Sequence, residues 1–145
     1  MGWQQIVARA HYLVDTSAMV RVDRAPVASA IAPMLADGLV ALCGPVIFEL
    51  GFSARNQATH QSLMDRVDAF ERAPTTDGDH RRAVEIQSAL AQQGQHRAVS
   101  MVDALVASVA ETRNLTVLHY DKDFDLIAAV TGQQMKWVVP QGSVA

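Results

Sequence analysis

The chain has 145 residues, 50% of them apolar, and a formal net charge of −3. That length and apolar share suit a single domain around one core and leave little room for two. The negative balance excludes a broadly basic protein that holds nucleic acid by charge alone, so any grip on a polynucleotide falls to local Arg or Lys residues.

Residues 1–10 read as a short N-terminal extension of a domain spanning 1–145. The start, MGWQQIVARAHYLVD, lacks the basic head, long apolar middle and small-residue cleavage site of a signal peptide. No apolar run anywhere reaches the roughly 18 residues that span a bilayer, so no membrane contact is expected. His11–Val14 is a short β-leaning strand, and Asp15-Thr16-Ser17 after it can cap a helix. Pro26 opens a second helix that stops at Asp37-Gly38. Leu39–Leu42 is an apolar strand, and Pro45 starts a helix running through Glu49 to about Asn56. Cys43, the only cysteine, has no partner for a disulfide or a thiolate zinc site, which fits a reducing compartment; the cytoplasm is expected.

Leu63, Val67 and Phe70 recur at helical spacing until Ala73-Pro74 breaks the pattern, and Val84 to Gln93 predicts another helix ending at Gly94. Met101 to Arg113 predicts an apolar helix, Leu115–Leu118 a strand, the residues after Phe124 a short helix, and Trp137–Val139 a last strand. Repeated strand–helix units predict an α/β fold with a central parallel sheet flanked by helices and joined by right-handed crossovers.

Four segments that read as buried core each carry one carboxylate: YLVD ends at Asp15, VIFEL contains Glu49, MVDALV contains Asp103, and VLHYD ends at Asp121. An ionised carboxylate costs several kcal/mol to bury unless it is compensated. Asp15 and Asp121 follow parallel strands, whose carboxyl ends border the ligand crevice of open α/β sheets. Glu49 and Asp103 lie on helices that can face the same crevice. Carboxylates gathered there repel by roughly 4 kcal/mol for a pair at about 4 Å and an effective dielectric near 20. A hard divalent cation removes that repulsion, and an all-oxygen donor set favours Mg²⁺, with Mn²⁺ as the alternative, over zinc.

Local explanations stand beside this one. Asp15 can cap its helix, Glu49 can pair with Arg55, Asp103 can sit at a helix start, and Asp121 and Asp123 of HYDKDFD can be turn residues. Asp23, Asp37, Asp125 and the acids of residues 65–85 read as solvated surface. His119, beside a strand end, reads as packed rather than catalytic, and Trp137 reads as core.

YLVDTSAM, PVIFELGFSARN, HRAVSMVDALVASVAE and LTVLHYDKDFDLIA, in that order, resemble the acidic motifs of PIN-domain VapC toxins from bacterial toxin–antitoxin pairs. The likeness runs from about Tyr12 to Pro140. It implies a three-layer α/β/α PIN-like domain over 1–145 and a Mg²⁺-dependent endoribonuclease that leaves a 5′-phosphate and a 3′-hydroxyl. It further implies an acidic quartet of Asp15, Glu49, Asp103 and Asp121, with Asp123 as a fifth metal ligand or as the alternative to Asp121. Thr16 and Ser17 match the small hydroxyl residues that orient the first acid or meet substrate. Arg97 matches a basic position suited to a phosphate, and Arg81 and Arg82 can extend a basic rim. Similar proteins carry a proline near the third acid, where this chain has Ser100-Met101-Val102, a departure that concerns the helix start. The partners implied are RNA, a VapB-type antitoxin and a second copy in a homodimer. Competing readings are a metal-dependent DNA nuclease or phosphatase, and a non-catalytic PIN-like module that binds RNA or protein.

Overall fold

The computed structural model describes residues 10–145, so the extension expected over 1–10 lies, apart from Ala10, outside the described residues. Five strands form one all-parallel sheet: β1 (Tyr12–Val14), β2 (Val40–Cys43), β3 (Glu71–Ala73), β4 (Thr116–His119) and β5 (Met135–Trp137), ordered β3-β2-β1-β4-β5. The helices among the described residues are α1 (Thr16–Met19), α2 (Ala25–Ala36), α3 (Gly44–Phe52), α4 (Gln57–Val67), α5 (Asp77–Ala91), α6 (Met101–Thr112) and α7 (Asp123–Thr131).

The central strands are short apolar runs because both their faces are covered. Leu13, Val14, Ala41, Leu42, Val117 and Leu118 are fully buried. Val14 lies opposite Leu118 across the β1–β4 pair, and Leu13 opposite Ala41 across β1–β2. From β1 the chain builds outward through β2 to β3, then returns to add β4 and β5 on the other side of β1. Right-handed crossovers therefore send α1 to α4 over one face and α5 to α7 over the opposite face. The packing agrees: α3 contacts α1 and α4, and α5 contacts α6 and α7. The two groups meet where α3 touches α6.

Four elements depart from the sequence expectation. The helical spacing of Leu63, Val67 and Phe70 ends at Val67, and Glu71–Ala73 forms an edge strand paired with Ala41–Cys43. A three-residue edge strand that reads Glu-Arg-Ala buries too little to leave an apolar signature. Helix α5 starts at Asp77, not Val84, because Thr76 and Asp79 form a capping box. The last strand pairs over Met135–Trp137 rather than Trp137–Val139, although Val138 and Val139 are buried. The α3 helix ends at Phe52, and Asn56 caps α4 instead of closing α3.

Candidate metal centre

The order of strands reverses between β1 and β4, and a crevice opens outside their carboxyl ends at such a switch point. Asp15 leaves β1 there, and its backbone N–H donates to the Leu118 carbonyl at 2.9 Å, which locks it beside β4. Its Oδ2 accepts from the Ser17 backbone N–H at 2.9 Å, so Asp15 caps α1. Its Oδ1 is buried with no hydrogen-bond partner among the described residues. Capping and site membership thus coexist, one oxygen serving each.

Asp103 occupies the first turn of α6, its backbone N–H held by the side chain of the N-cap Ser100. Ser100, within the Ser100-Met101-Val102 departure, thus caps the start of this helix. Asp121 follows the end of β4, and its Oδ1 accepts from the Asp123 backbone N–H at 2.9 Å. Carboxylate oxygens of Asp103, Asp121 and Asp123 lie within 4.8 Å of one another. Glu49, on α3, accepts a hydrogen bond from Thr16 Oγ1 at 2.5 Å rather than pairing with Arg55. The acids of the third and fourth segments thus converge; Asp15, whose charge acts on Asp103, and Glu49, linked to the Asp15 turn through Thr16, lie outside that 4.8 Å group.

Electrostatics report the crowding. Burial raises the Asp103 carboxyl, the charges of Asp15, Asp121 and Asp123 raise it further against the Ser100 bond, and it reaches about 7. Burial also holds Asp15 above its ordinary value, and the nearby Glu49 charge adds to this against hydrogen bonds from Ser17 and Thr16. Asp123 is raised by burial and by Asp121, with Lys122 opposing. None of these acids takes part in an ion pair among the described residues. Three converging carboxylates, with no cation paired to them among the described residues and the unpartnered Asp15 oxygen as a further buried donor, fit a hard divalent ion. Soft or nitrogen ligands are withheld. Burial pushes the Cys43 thiol up to about 11, and the His119 Nδ1 accepts from the Asp121 backbone N–H at 3.1 Å.

Thr16 and Ser17 use their hydroxyls inside the fold. Thr16 holds Glu49, and Ser17 Oγ accepts from the Tyr120 backbone N–H at 2.9 Å, tying α1 to the turn after β4. Arg97 is exposed in the turn before α6. Arg82 does not extend a basic rim: it is engaged by Glu111 and Glu85. Trp137 is half-buried, with its ring 4.9 Å from His119 and 5.4 Å from Tyr120.

One acid read as surface is not. Asp79 is fully buried, where it accepts from the Thr76 backbone N–H, Thr112 Oγ1 and the Arg113 guanidinium. Burial alone would raise its pKa, but these bonds and the Arg113 charge outweigh it and lower the value. The Thr-x-x-Asp spacing of 76–79 was the available signal. It belongs to a structural network, not to the acidic cluster.

Residues 12–130 match the PIN domain. Over 133 residues the chain is 45% identical to ribonuclease VapC51 of Mycobacterium tuberculosis, spanning 92% of this chain and 96% of that protein. Ribonuclease VapC21 of the same species is 43% identical over 133 residues, spanning 91% and 96%. In shape the chain is similar to a protein in the crystal structure of VapBC2 from Rickettsia felis bound to a promoter DNA fragment. That likeness has a TM-score of 0.73 at 18% identity and covers 87% of this chain and 98% of that one.

Proposed function

The chain belongs to the PIN-domain family and, within it, to the VapC ribonucleases, and on that premise we propose that it is a Mg²⁺-dependent endoribonuclease, the toxin of a VapBC-type pair. Mn²⁺ is the alternative ion. The observation that carries the reading is the convergence of Asp103, Asp121 and Asp123 oxygens within 4.8 Å with no cation paired to them among the described residues.

Asp15, Asp103, Asp121 and Asp123 are the residues that would hold the ion, with Glu49 beside them. A bound divalent ion supplies charge neutralisation at the phosphate, a lowered pKa for water and orientation of the scissile group. The chain's own residues do the rest. Glu49, with one oxygen held by Thr16, keeps the other to orient the attacking water and accept its proton. Ser17 and the Leu118 carbonyl fix Asp15, and Ser100 fixes the turn that carries Asp103. Arg97, exposed before α6, contacts an RNA phosphate as a point of positioning.

The R. felis neighbour is a toxin–antitoxin complex by its description, and by analogy this chain takes a VapB-type antitoxin and pairs with a second copy. Two exposed apolar surfaces support two such contacts: Phe48 and Phe52 on α3, and Val84 with Met101 on α5 and α6. Among the described residues no helix is long and apolar enough to cross a membrane.

Incubation of the purified chain with RNA tests the reading. Cleavage is expected with Mg²⁺, absent with chelator, and reduced on the order of 10²–10³-fold in Asp103→Asn, the scale of losing one preorganised electrostatic group. Undiminished cleavage under chelation, or full activity in Asp103→Asn, would overturn it.

A further inference from the structure

His119, the last residue of β4, is fully buried, yet one of its ring nitrogens, Nε2, has no hydrogen-bond partner among the described residues. Its imidazole packs against the rings of Phe124 and Trp137, each with centroids 4.9 Å away. An apolar side chain would fill that space without leaving a buried polar atom unpaired, which is costly. The polar ring needs another reason, and Nδ1 supplies one.

We propose that His119 is a positioning residue for the metal centre: by accepting the Asp121 backbone N–H at Nδ1, it sets the turn that aims Asp121 and Asp123. The inference rests on the metal-centre reading given above. Acceptance at Nδ1 places the ring proton on Nε2, so the unpaired nitrogen is the consequence of the bond that is kept. Two-residue steps carry the constraint forward: His119 holds the Asp121 amide, and Asp121 Oδ1 holds the Asp123 amide at the first residue of α7. The intervening amide, Tyr120, is held by Ser17 Oγ. The amides of Tyr120 and Asp121 are thereby each tied to a side chain, and Phe124 and Trp137 pack against the His119 ring that holds the second. Groups of this kind behind metal ligands orient them, and their loss typically weakens metal binding by about 10–100-fold.

Calorimetric titration of the full chain with Mn²⁺ alone, without RNA, reads the effect directly. His119→Leu removes the acceptor, and His119→Gln moves it towards the Nε2 position. His119→Asn keeps an amide oxygen where Nδ1 stands. The expected result is about tenfold weaker Mn²⁺ binding in the Leu and Gln variants, with Asn within about threefold of the native chain. Thermal melting of each variant accompanies the titration; if Leu does not fold, the Gln-against-Asn comparison decides. Native affinity in the Leu variant, or equal affinity in Asn and Gln, would overturn the proposal and leave the metal centre standing. No Mn²⁺ binding by the native chain, or unchanged binding in Asp103→Asn, would overturn the centre itself and the proposal with it.

Discussion

The Asp103 carboxyl concentrates the electrostatic character of the site. Its pKa near 7 exceeds the unfolded value, so between roughly pH 4 and pH 7 the folded chain holds a proton that the unfolded chain has released. Stability of the metal-free protein from this group is therefore greatest at acid pH and is lost as pH rises through 7. Buried, neutral His119 opposes it, because its depressed pKa favours the folded state as pH rises towards 6.5. The comparison of variants separates the two. Without metal at pH 7.5, Asp103→Asn should be more stable than the native chain by up to a few kcal/mol, at about 1.4 kcal/mol per pH unit of separation. At pH 5 the gap should narrow, as denaturant titration at both pH values will show. A constant gap would mean that Asp103 ionises normally. Metal must displace the same proton, so cleavage should rise with pH through about 7. Thr16→Val, which strips the bond to Glu49, should lower kcat about tenfold with a smaller change in stability, whereas Thr16→Ser retains the donor and most of the rate.

At the scale of elements, helix starts do most of the positioning. Asp15 caps α1, Ser100 caps α6 and the Asp121 turn opens α7, so each acid is aimed by the same hydrogen bonds that begin a helix. Ser17→Ala should cost about 1 kcal/mol, since it frees α1 from the Tyr120 amide. The Asp79 network lies apart from the site. Asp79→Ala should destabilise by about 2 kcal/mol or more, by stranding Arg113 and Thr112, while RNA cleavage per folded molecule is unchanged. Loss of cleavage without loss of stability would place Asp79 in the site after all.

What could be read in advance follows from which elements carry a strong local signal. Strands β1, β2 and β4 are apolar on both faces, so YLV, VALC and TVLH showed themselves, and a carboxylate beside such a run stood out. Asp15 and Asp121 stood out for that reason, and Glu49 and Asp103 because each is a lone carboxylate within an apolar helical run. Strand β3 was not, because Glu-Arg-Ala at an edge has no period of its own and its register comes from β2. Asp79 was hidden by polar neighbours, its burial depending on α6 residues more than thirty positions away. The acceptor role of His119 was hidden similarly: its packing was foreseeable, but its bond to Asp121 depends on ring orientation set by Phe124 and Trp137.

For the whole molecule, topology explains why these acids meet. A chain that starts at the centre of its sheet, builds to one edge and returns must leave a crevice between β1 and β4, and the crossing of α3 and α6 brings Glu49 and Asp103 towards it. The fold thus assembles like charges at a cost, and a bound cation returns stability. Mn²⁺ at a hundred times its dissociation constant should stabilise the chain by about 2.7 kcal/mol, visible as a higher melting temperature. Asp103→Asn should not respond.

A crystal of the chain soaked in Mn²⁺, with diffraction collected at the manganese absorption edge, is the most direct measurement. The expected result is an anomalous peak bounded by oxygens of Asp15, Asp103, Asp121 and Asp123. A well-occupied peak elsewhere, or none at saturating Mn²⁺, would contradict the metal centre on which the proposed chemistry depends.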